Sequence, residues 1–426
     1  MKKILVILLA LLTYLCVTTI CAAMPNQEIE DEYISHDDAY YIKSEYDKVI
    51  QDYTEAIRLN PENQEAYNMR GLAYYEKEDY DRAIMDFTEV IRLVPKSADA
   101  YNNRGLAYSN KEDYDRAIVD FTKVIGLVPK STDAYNNRGI AYNCKNEYDL
   151  AIADYSISIL LDPKSANAYY NRGLAYSKKE DYDRAIVDFT KVIGLVPKNT
   201  DVYNNRGRAY YKKNDYDLAI ADFNESILLD PKNAITYKWR GDTFFMKGDN
   251  DRAIADYTDS ILIDPENADV YNNRGITYYD KEDYDQAITD YTESIKLDPK
   301  NMYAYYNRGK AYYDKEDYDQ AIADYTESIK LDPNNFLAYY NRGIIYYDKD
   351  DYDLAIADYT ESIKLDPKFM YAYYNRGISY YMKEDYKQAI VDYEAALRID
   401  PDNPDAHVIR QELENARKKF QSATNK

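Results

Sequence analysis

A single period of 34 residues governs this 426-residue chain. Glycine recurs with this spacing from position 71 to position 377. Proline recurs with the same spacing at positions 61, 95, 129, 163, 197, 231, 265, 299, 333, 367 and 401. A fixed period of this length is typical of repeat arrays in which each copy is one supersecondary unit. Ten full units therefore run from 64 to 403 and leave no room for a separate catalytic domain, and a degenerate unit precedes them within 24–63.

Each unit predicts two helices, as the sequence 98–131 illustrates. Ser97 can accept a hydrogen bond from a free backbone N–H and so cap a first helix, and Asp113 can cap a second. Apolar residues recur at helical spacing in both segments. Pro129 ends the second helix because proline cannot continue the hydrogen-bond ladder. Two short helices on a tight turn form a hairpin, and stacked neighbours are needed to bury its apolar stripes.

The unit resembles the tetratricopeptide repeat, whose pattern has an aromatic residue, then Gly and Tyr, then Ala, an aromatic, a small residue and Pro. This chain places Tyr101, Gly105, Tyr108, Ala117, Phe121, Val124 and Pro129 at those positions. The resemblance covers residues 64–403. It implies an all-α fold, an α-solenoid superhelix of about ten to eleven 34-residue helix-turn-helix repeats, whose concave face is lined by the first helices and holds segments of partner proteins.

Every full unit departs from the family pattern just before the glycine, where it carries an arginine such as Arg104 instead of the common leucine. Antiparallel helices joined near residue 112 should place Arg104 level with Asp120. The same two residues recur in every full unit, which predicts a structural ladder of Arg–Asp pairs. Removal of one partner would leave a half-buried charge uncompensated, which costs more than the loss of a surface pair.

Both ends of the chain differ from the repeats. Residues 1–23 read as a signal peptide, because Lys2 and Lys3 precede an apolar run that ends in small residues. The run is also long enough to act as an uncleaved membrane anchor, and both alternatives place the rest of the chain across the membrane. Residues 404–426 predict a capping helix and tail. His407 on this helix and His36 in the degenerate unit are expected to be ordinary surface residues.

Composition and missing motifs argue against nucleic-acid binding and against most kinds of catalytic and metal site. A net charge of −22 repels phosphate backbones, so nucleic-acid binding is not expected. With two histidines and three cysteines, the chain lacks the groups for a zinc site or a His-assisted nucleophile. The glycine-rich nucleotide fingerprints and HExxH are absent as well. We therefore expect no enzyme activity, no metal and no cofactor, and a salt-sensitive preference for a basic or extended partner segment.

The expected groove changes character along the chain, since acidic residues and Asn give way to Tyr in the late units. Tyr supplies rigid amphipathic contact area that suits recognition. The predicted partner-binding residues are Tyr303, Tyr306, Tyr313, Tyr340, Tyr347, Tyr371, Tyr374, Tyr381 and Trp239. Trp239 lies in the most divergent unit, 234–267, which drift or a docking point would explain. A/T-rich coding and repeat copying offer a competing explanation for the 52 tyrosines.

The sequence thus predicts an exported, non-enzymatic scaffold for protein–protein interaction. Two other functions remain open. The protein could be a membrane-anchored assembly factor of an envelope complex, which an uncleaved N-terminus would favour. It could also bind glycans, whose sugar faces stack on tyrosine rings.

Overall fold

The computed structural model describes residues 36–424, with side chains from Tyr46 onward. This range forms 22 α-helices and contains no β-strand. The predicted signal segment 1–23, the start of the acidic segment 24–63 and the side chain of His36 lie outside the described residues. The chain divides into two compact units, the first ending at Pro231 and the second beginning at Lys232.

The helices follow one another as hairpins, which confirms the predicted all-α repeat fold. The helices of the first unit are α1 (His36–Leu59), α2 (Gln64–Glu76), α3 (Tyr80–Leu93), α4 (Ala98–Asn110), α5 (Tyr114–Leu127), α6 (Thr132–Cys144), α7 (Tyr148–Leu161), α8 (Ala166–Lys178), α9 (Tyr182–Leu195), α10 (Thr200–Lys212) and α11 (Tyr216–Leu229). The helices of the second unit are α12 (Ala234–Met246), α13 (Asn250–Ile263), α14 (Ala268–Asp280), α15 (Tyr284–Leu297), α16 (Met302–Asp314), α17 (Tyr318–Leu331), α18 (Phe336–Asp348), α19 (Tyr352–Leu365), α20 (Met370–Met382), α21 (Tyr386–Ile399) and α22 (Ala406–Thr424).

The predicted caps are present at both helix starts of the hairpin 98–127. Ser97 accepts a hydrogen bond from the backbone N–H of Ala100, and Asp113 accepts one from that of Arg116. The turn between the two helices needs a left-handed residue, and Glu112 fills it with φ 60°. That backbone conformation is costly for any residue with a Cβ. Most units nevertheless carry Glu, Asn or Asp there, and Gly248 is the exception in unit 234–267.

The core of each hairpin is an aromatic ring packed against a glycine. In the hairpin 98–127, Phe121 is fully buried, and a Cβ at Gly105 would lie 2.8 Å from Cε1 of that ring. Ala117 is also completely buried. The small residues therefore let the two helices approach closely, and the ring fills the space that remains.

The predicted Arg–Asp ladder is confirmed and has a further arm. Arg104 donates from Nε and Nη2 to the two carboxylate oxygens of Asp120, each at 2.8 Å. The same two-pronged pair forms in every full unit, from Arg70–Asp86 to Arg376–Asp392. Nη1 of Arg104 also donates to Thr88 Oγ1, 3.1 Å away on the second helix of the preceding unit. Arg104 thus ties two neighbouring repeats together, and Arg308 does the same through Thr292.

A second ladder of ion pairs runs along the hairpin turns. Lys145 at the end of α6 contacts Asp115 at the start of α5, with Nζ and Oδ1 2.7 Å apart. The equivalent lysines Lys179 and Lys213 pair in the same way with Asp149 and Asp183. These pairs are solvent-exposed and each adds little stability.

The terminal helix α22 packs on the last hairpin of the second unit. Ile409 and Leu413 are buried against the last hairpin. Phe420, expected on the same apolar stripe, is 37% exposed, because only the first part of α22 packs on that hairpin. His407 is exposed, in line with its expected surface position.

Candidate partner-binding surface

In both units, successive first helices contact one another as well as their own second helices. In the second unit, α12, α14, α16, α18 and α20 contact one another in this order, and in the first unit α2, α4, α6, α8 and α10 do so. We call the surface that these helices share within one unit the first-helix face of that unit. The first-helix face of the second unit carries all nine residues that the sequence predicted for partner binding.

The edge of this face is apolar and exposed on α16, α18 and α20. Tyr303, Leu337 and Tyr371 occupy equivalent positions on α16, α18 and α20, and they are 61%, 37% and 37% exposed. The equivalent positions of the first unit carry acids such as Asp99 and Asp133. We call the three residues of the second unit the apolar edge. It offers side chains that a partner could cover without unpacking the repeats.

The next row, Tyr306, Tyr340 and Tyr374, is half-buried. Tyr340 packs against the buried ring of Tyr359, with centroids 5.8 Å apart, and its hydroxyl accepts a hydrogen bond from Asn375 Nδ2 at 3.0 Å. Tyr306 accepts the same bond from Asn341 at 2.9 Å. Tyr306 and Tyr340 thus have an inter-repeat structural role that the sequence did not predict. Burial raises the pKa of Tyr340 to about 12, so its hydroxyl stays neutral at physiological pH.

The asparagine contact recurs beyond the tyrosine row. Asn205 donates to Tyr170 Oη at 3.0 Å, and Asn171 donates to Asn136 Oδ1 at 3.1 Å. In each case the donor lies on the next first helix along the chain. The spacing of 35 residues between donor and acceptor could have indicated this ladder.

The third row combines tyrosines with carboxylates. Tyr313 Oη donates to Asp348 Oδ2 at 3.1 Å, and Tyr279 donates to Asp314 in the same way. Burial together with Asp348 raises the pKa of Tyr313 to about 12. Two further members of the row, Tyr347 and Tyr381, lie against second-helix tyrosines at centroid distances of 5.6 and 5.2 Å. We call Asp280, Asp314 and Asp348 the acidic row, and it gives this side of the face a negative charge.

An aromatic cluster lies at the start of α20, where the repeat pattern breaks. Phe369 stands where the other units have Ser or Asn, and α20 begins without a side-chain cap. The Phe369 ring instead contacts Phe336, Tyr340 and Tyr371, with centroids 5.2, 4.9 and 6.0 Å apart. Loss of a cap costs about 1 kcal/mol. Phe369 in place of a capping residue therefore extends the apolar surface between α18 and α20.

Trp239, the ninth predicted residue, is half-buried on α12, and Lys238 Nζ lies 4.9 Å from its ring centroid. The hairpin around it has the same length as its neighbours. Its distinctive feature is Asp242, which stands where most units have Leu or Ile and accepts hydrogen bonds from Lys238, Tyr257 and Asn273 at 2.8–3.0 Å. The role of Trp239 in binding stays a prediction.

In the first unit, a cavity of about 490 Å³ opens between α8 and α10. Its lining residues are Tyr170, Leu174, Ser177, Lys178, Tyr182, Asp201, Asn205, Arg208, Ala209 and Lys212. Three of them are cationic, in contrast to the acidic character of the chain as a whole. These residues were not predicted from the sequence. The feature that could have indicated the cavity is Arg208, which replaces the apolar residue found at its position in most units.

Two kinds of site are absent from the part of the chain that the structure describes. Within residues 36–424, no group of His, Cys, Asp or Glu side chains is arranged to hold a metal ion. No helix in that range is long and apolar enough to cross a membrane.

Comparison with solved structures finds many repeat proteins. YrrB, described as a TPR protein with an unusual peptide-binding site, is 28% identical, with 43% of this chain and 95% of YrrB covered and a TM-score of 0.38. Yeast Tom70 is 16% identical, with 90% and 94% covered and a TM-score of 0.42. A tetratricopeptide repeat protein from Parabacteroides merdae is 22% identical, with 61% and 99% covered and a TM-score of 0.46. A search of curated proteins finds no match.

Family models identify the repeats directly. The model described as "TPR repeat" matches residues 38–77, 71–112, 141–180, 241–282, 277–316 and 309–350. The model described as "Tetratricopeptide repeat" matches residues 98–131, 166–199, 200–233, 336–369 and 371–403. Proteins of this family are typically scaffolds that bind other proteins, and they are generally non-catalytic. The chain belongs to the tetratricopeptide repeat family.

Proposed function

We propose that the protein is an exported scaffold that holds a segment of a partner protein on the first-helix face of residues 302–382. The observation that carries this proposal is the apolar edge. Tyr303, Leu337 and Tyr371 are exposed on three successive first helices, and their acidic counterparts in the first unit show that the fold does not require apolar residues there. Aligned apolar side chains of this kind typically mark an interaction site.

The acidic row beside this edge supports a partner with basic residues. Asp314 and Asp348 each accept a hydrogen bond from a tyrosine, which leaves further carboxylate lone pairs for a Lys or Arg of the partner. An extended or helical segment with apolar residues on one side and basic residues on the other would match both strips. Complementary charge of this kind mainly sets specificity and association rate.

Variants of the apolar edge test this proposal. Tyr303→Ser, Leu337→Ser and Tyr371→Ser together remove the three side chains of the apolar edge. The matched control, Leu354→Ser with Val391→Ser, removes comparably exposed side chains from second helices of the same unit. In a crosslinking pull-down from the native envelope, we expect the edge variant to lose a specific partner that the wild type and the control retain. Equal capture by all three forms would contradict the proposal.

Two further measurements separate the alternatives. Binding to a glycan array, with no protein captured, would favour the glycan-binding function. Export is tested by mass spectrometry of the exported protein, for which we expect an N-terminus near Met24. An intact Met1 in the membrane fraction would favour the membrane-anchored assembly factor instead.

A further inference from the structure

We propose that the cavity between α8 and α10 is a second binding site, which takes a short acidic stretch of a protein partner. Lys178, Lys212 and Arg208 would hold its carboxylates. This site lies in the first unit and does not depend on the tyrosine rows of the second. The cavity would bind an acidic partner segment, whereas the acidic row of the second unit would bind a basic one.

The two lysines differ from their sequence neighbours in how they are used. Lys179 and Lys213 are each paired with an aspartate of the preceding hairpin. Lys178 and Lys212 precede them by one residue and line the cavity, and within the described residues no ion pair joins either of them to a carboxylate. Of each two adjacent lysines, one therefore forms an ion pair within the repeats and the other lines the cavity.

The lysines are also specific to this place in the array. The equivalent residue at the end of the other first helices is Glu76, Asn110, Cys144, Met246, Asp280, Asp314, Asp348 or Met382. Only α8 and α10, which are successive first helices, end in lysine, so the two charges meet across one cavity. In a chain with net charge −22, two such lysines and Arg208 form a local positive site within an acidic surface.

Arg208, which is solvent-exposed like the two lysines, adds the third charge to the lining. It replaces a Leu or Ile found at this position in most units, and partial desolvation lowers its pKa without neutralising the guanidinium. Tyr170, Asp201 and Arg208 line the same cavity, and burial, aided by the negative charge of Asp201, raises the pKa of Tyr170. Asp201 is the one acid in the lining, so it cannot neutralise both Lys178 and Lys212, which form no ion pair within the described residues.

The size and lining of the cavity favour a peptide over a small ion. A volume of about 490 Å³ exceeds what one inorganic anion fills. Leu174 and the rings of Tyr170 and Tyr182 offer apolar area beside the charges, and Ser177 and Asn205 offer polar groups for a backbone. Charges at the rim with aromatic walls suit two or three residues of an extended acidic segment.

The test uses the full chain and a fluorescein-labelled hexaglutamate peptide with an amidated C-terminus. Binding is measured by fluorescence anisotropy for the wild type, for Lys178→Gln with Lys212→Gln, and for the control Lys179→Gln with Lys213→Gln. Both variants lose the same net charge at adjacent positions, and circular dichroism confirms that each is folded. We expect the cavity variant to bind at least tenfold more weakly and the control to stay within twofold of the wild type.

Several results would overturn the proposal. These are no measurable binding by the wild type, equal weakening in both variants, or displacement of the peptide by inorganic phosphate as readily as by unlabelled hexaglutamate. The last would reduce the cavity to a general anion site. The serine variant of the apolar edge should bind hexaglutamate like the wild type, which makes failure of this site distinguishable from failure of the proposed partner groove.

Discussion

Two glycine-to-alanine substitutions should change stability in opposite directions, although both remove a glycine from a helix. Gly139 lies in the first helix α6, and a Cβ there would be 2.6 Å from Cε1 and 2.9 Å from Cδ1 of the buried Tyr155 ring. Ordinary contact begins at 3.4 Å, so the ring must move. Gly126 lies near the end of the second helix α5, and a Cβ there would meet nothing within 4 Å.

The magnitudes follow from two opposing terms. Replacement of Gly by Ala in a helix interior stabilises it by about 1 kcal/mol. Insertion of a methyl group into a packed core costs about 1–3 kcal/mol. Gly139→Ala should therefore destabilise its hairpin by about 1 kcal/mol net. Gly126→Ala should stabilise its hairpin by about 0.5–1 kcal/mol, since its position near the helix end reduces the gain.

The assay must be local, because repeat arrays unfold by parts rather than in one two-state step. Hydrogen exchange measured by mass spectrometry reports the opening free energy of each hairpin. We expect exchange in residues 132–161 to be about fivefold faster in Gly139→Ala, and exchange in residues 114–127 to be about threefold slower in Gly126→Ala.

Gly309 provides a case between these two, because the distance from its Cβ position to the nearest ring atom is intermediate. At Gly309 the nearest ring atom is 3.2 Å from a Cβ, so Gly309→Ala should fall between the other two variants. If Gly139→Ala protected its hairpin as well as Gly126→Ala does, close helix approach would not be the reason for the repeated glycine.

Three further predictions test other features of the repeat. Arg172→Ala should destabilise its hairpin by about 3 kcal/mol, because it leaves a buried carboxylate unpaired, whereas Arg184→Ala, at an exposed pair of the same hairpin, should leave hydrogen exchange there nearly unchanged. Glu112→Gly should stabilise its turn by about 1 kcal/mol, measured in the same way, because φ is 60° there. Burial raises the pKa of Tyr340 to about 12, so the stabilisation from its neutral form is complete below pH 10 and is lost as the pH rises from 10 to 12. A difference titration at 295 nm between the wild type and Tyr340→Phe should show the ionisation of this phenol near pH 12. Ionisation near pH 10 would refute the burial argument.

Contacts within a hairpin could be predicted from the sequence, since a short turn fixes how two antiparallel helices line up. That is why the pairing of Arg104 with Asp120 was predicted 16 residues apart and is found at 2.8 Å. The caps at Ser97 and Asp113 were accessible for the same reason, because they depend only on local chain direction.

Contacts between hairpins were not predicted, because they depend on how one unit packs against the next. The bond from Arg104 to Thr88 and the bond from Asn375 to Tyr340 both cross such a boundary. The tyrosine rows were therefore interpreted as free groove surface, although part of each row is engaged in holding repeats together. The cavity near Lys178 was missed because it exists only once two first helices are placed side by side.

The abundance of tyrosine is largely explained by architecture. Tyr101 and Tyr108 flank the guanidinium of Arg104, with ring centroids 5.6 and 5.9 Å from its Cζ, and Tyr155 fills the space that its facing glycine leaves. Tyrosines at these positions recur across the repeats, so they cannot distinguish one partner from another. Specificity must come from positions where the units differ on the first-helix face. The exposed edge at Tyr303 and the unpaired Lys178 are two such positions, and they point to partner segments of opposite charge in the two units.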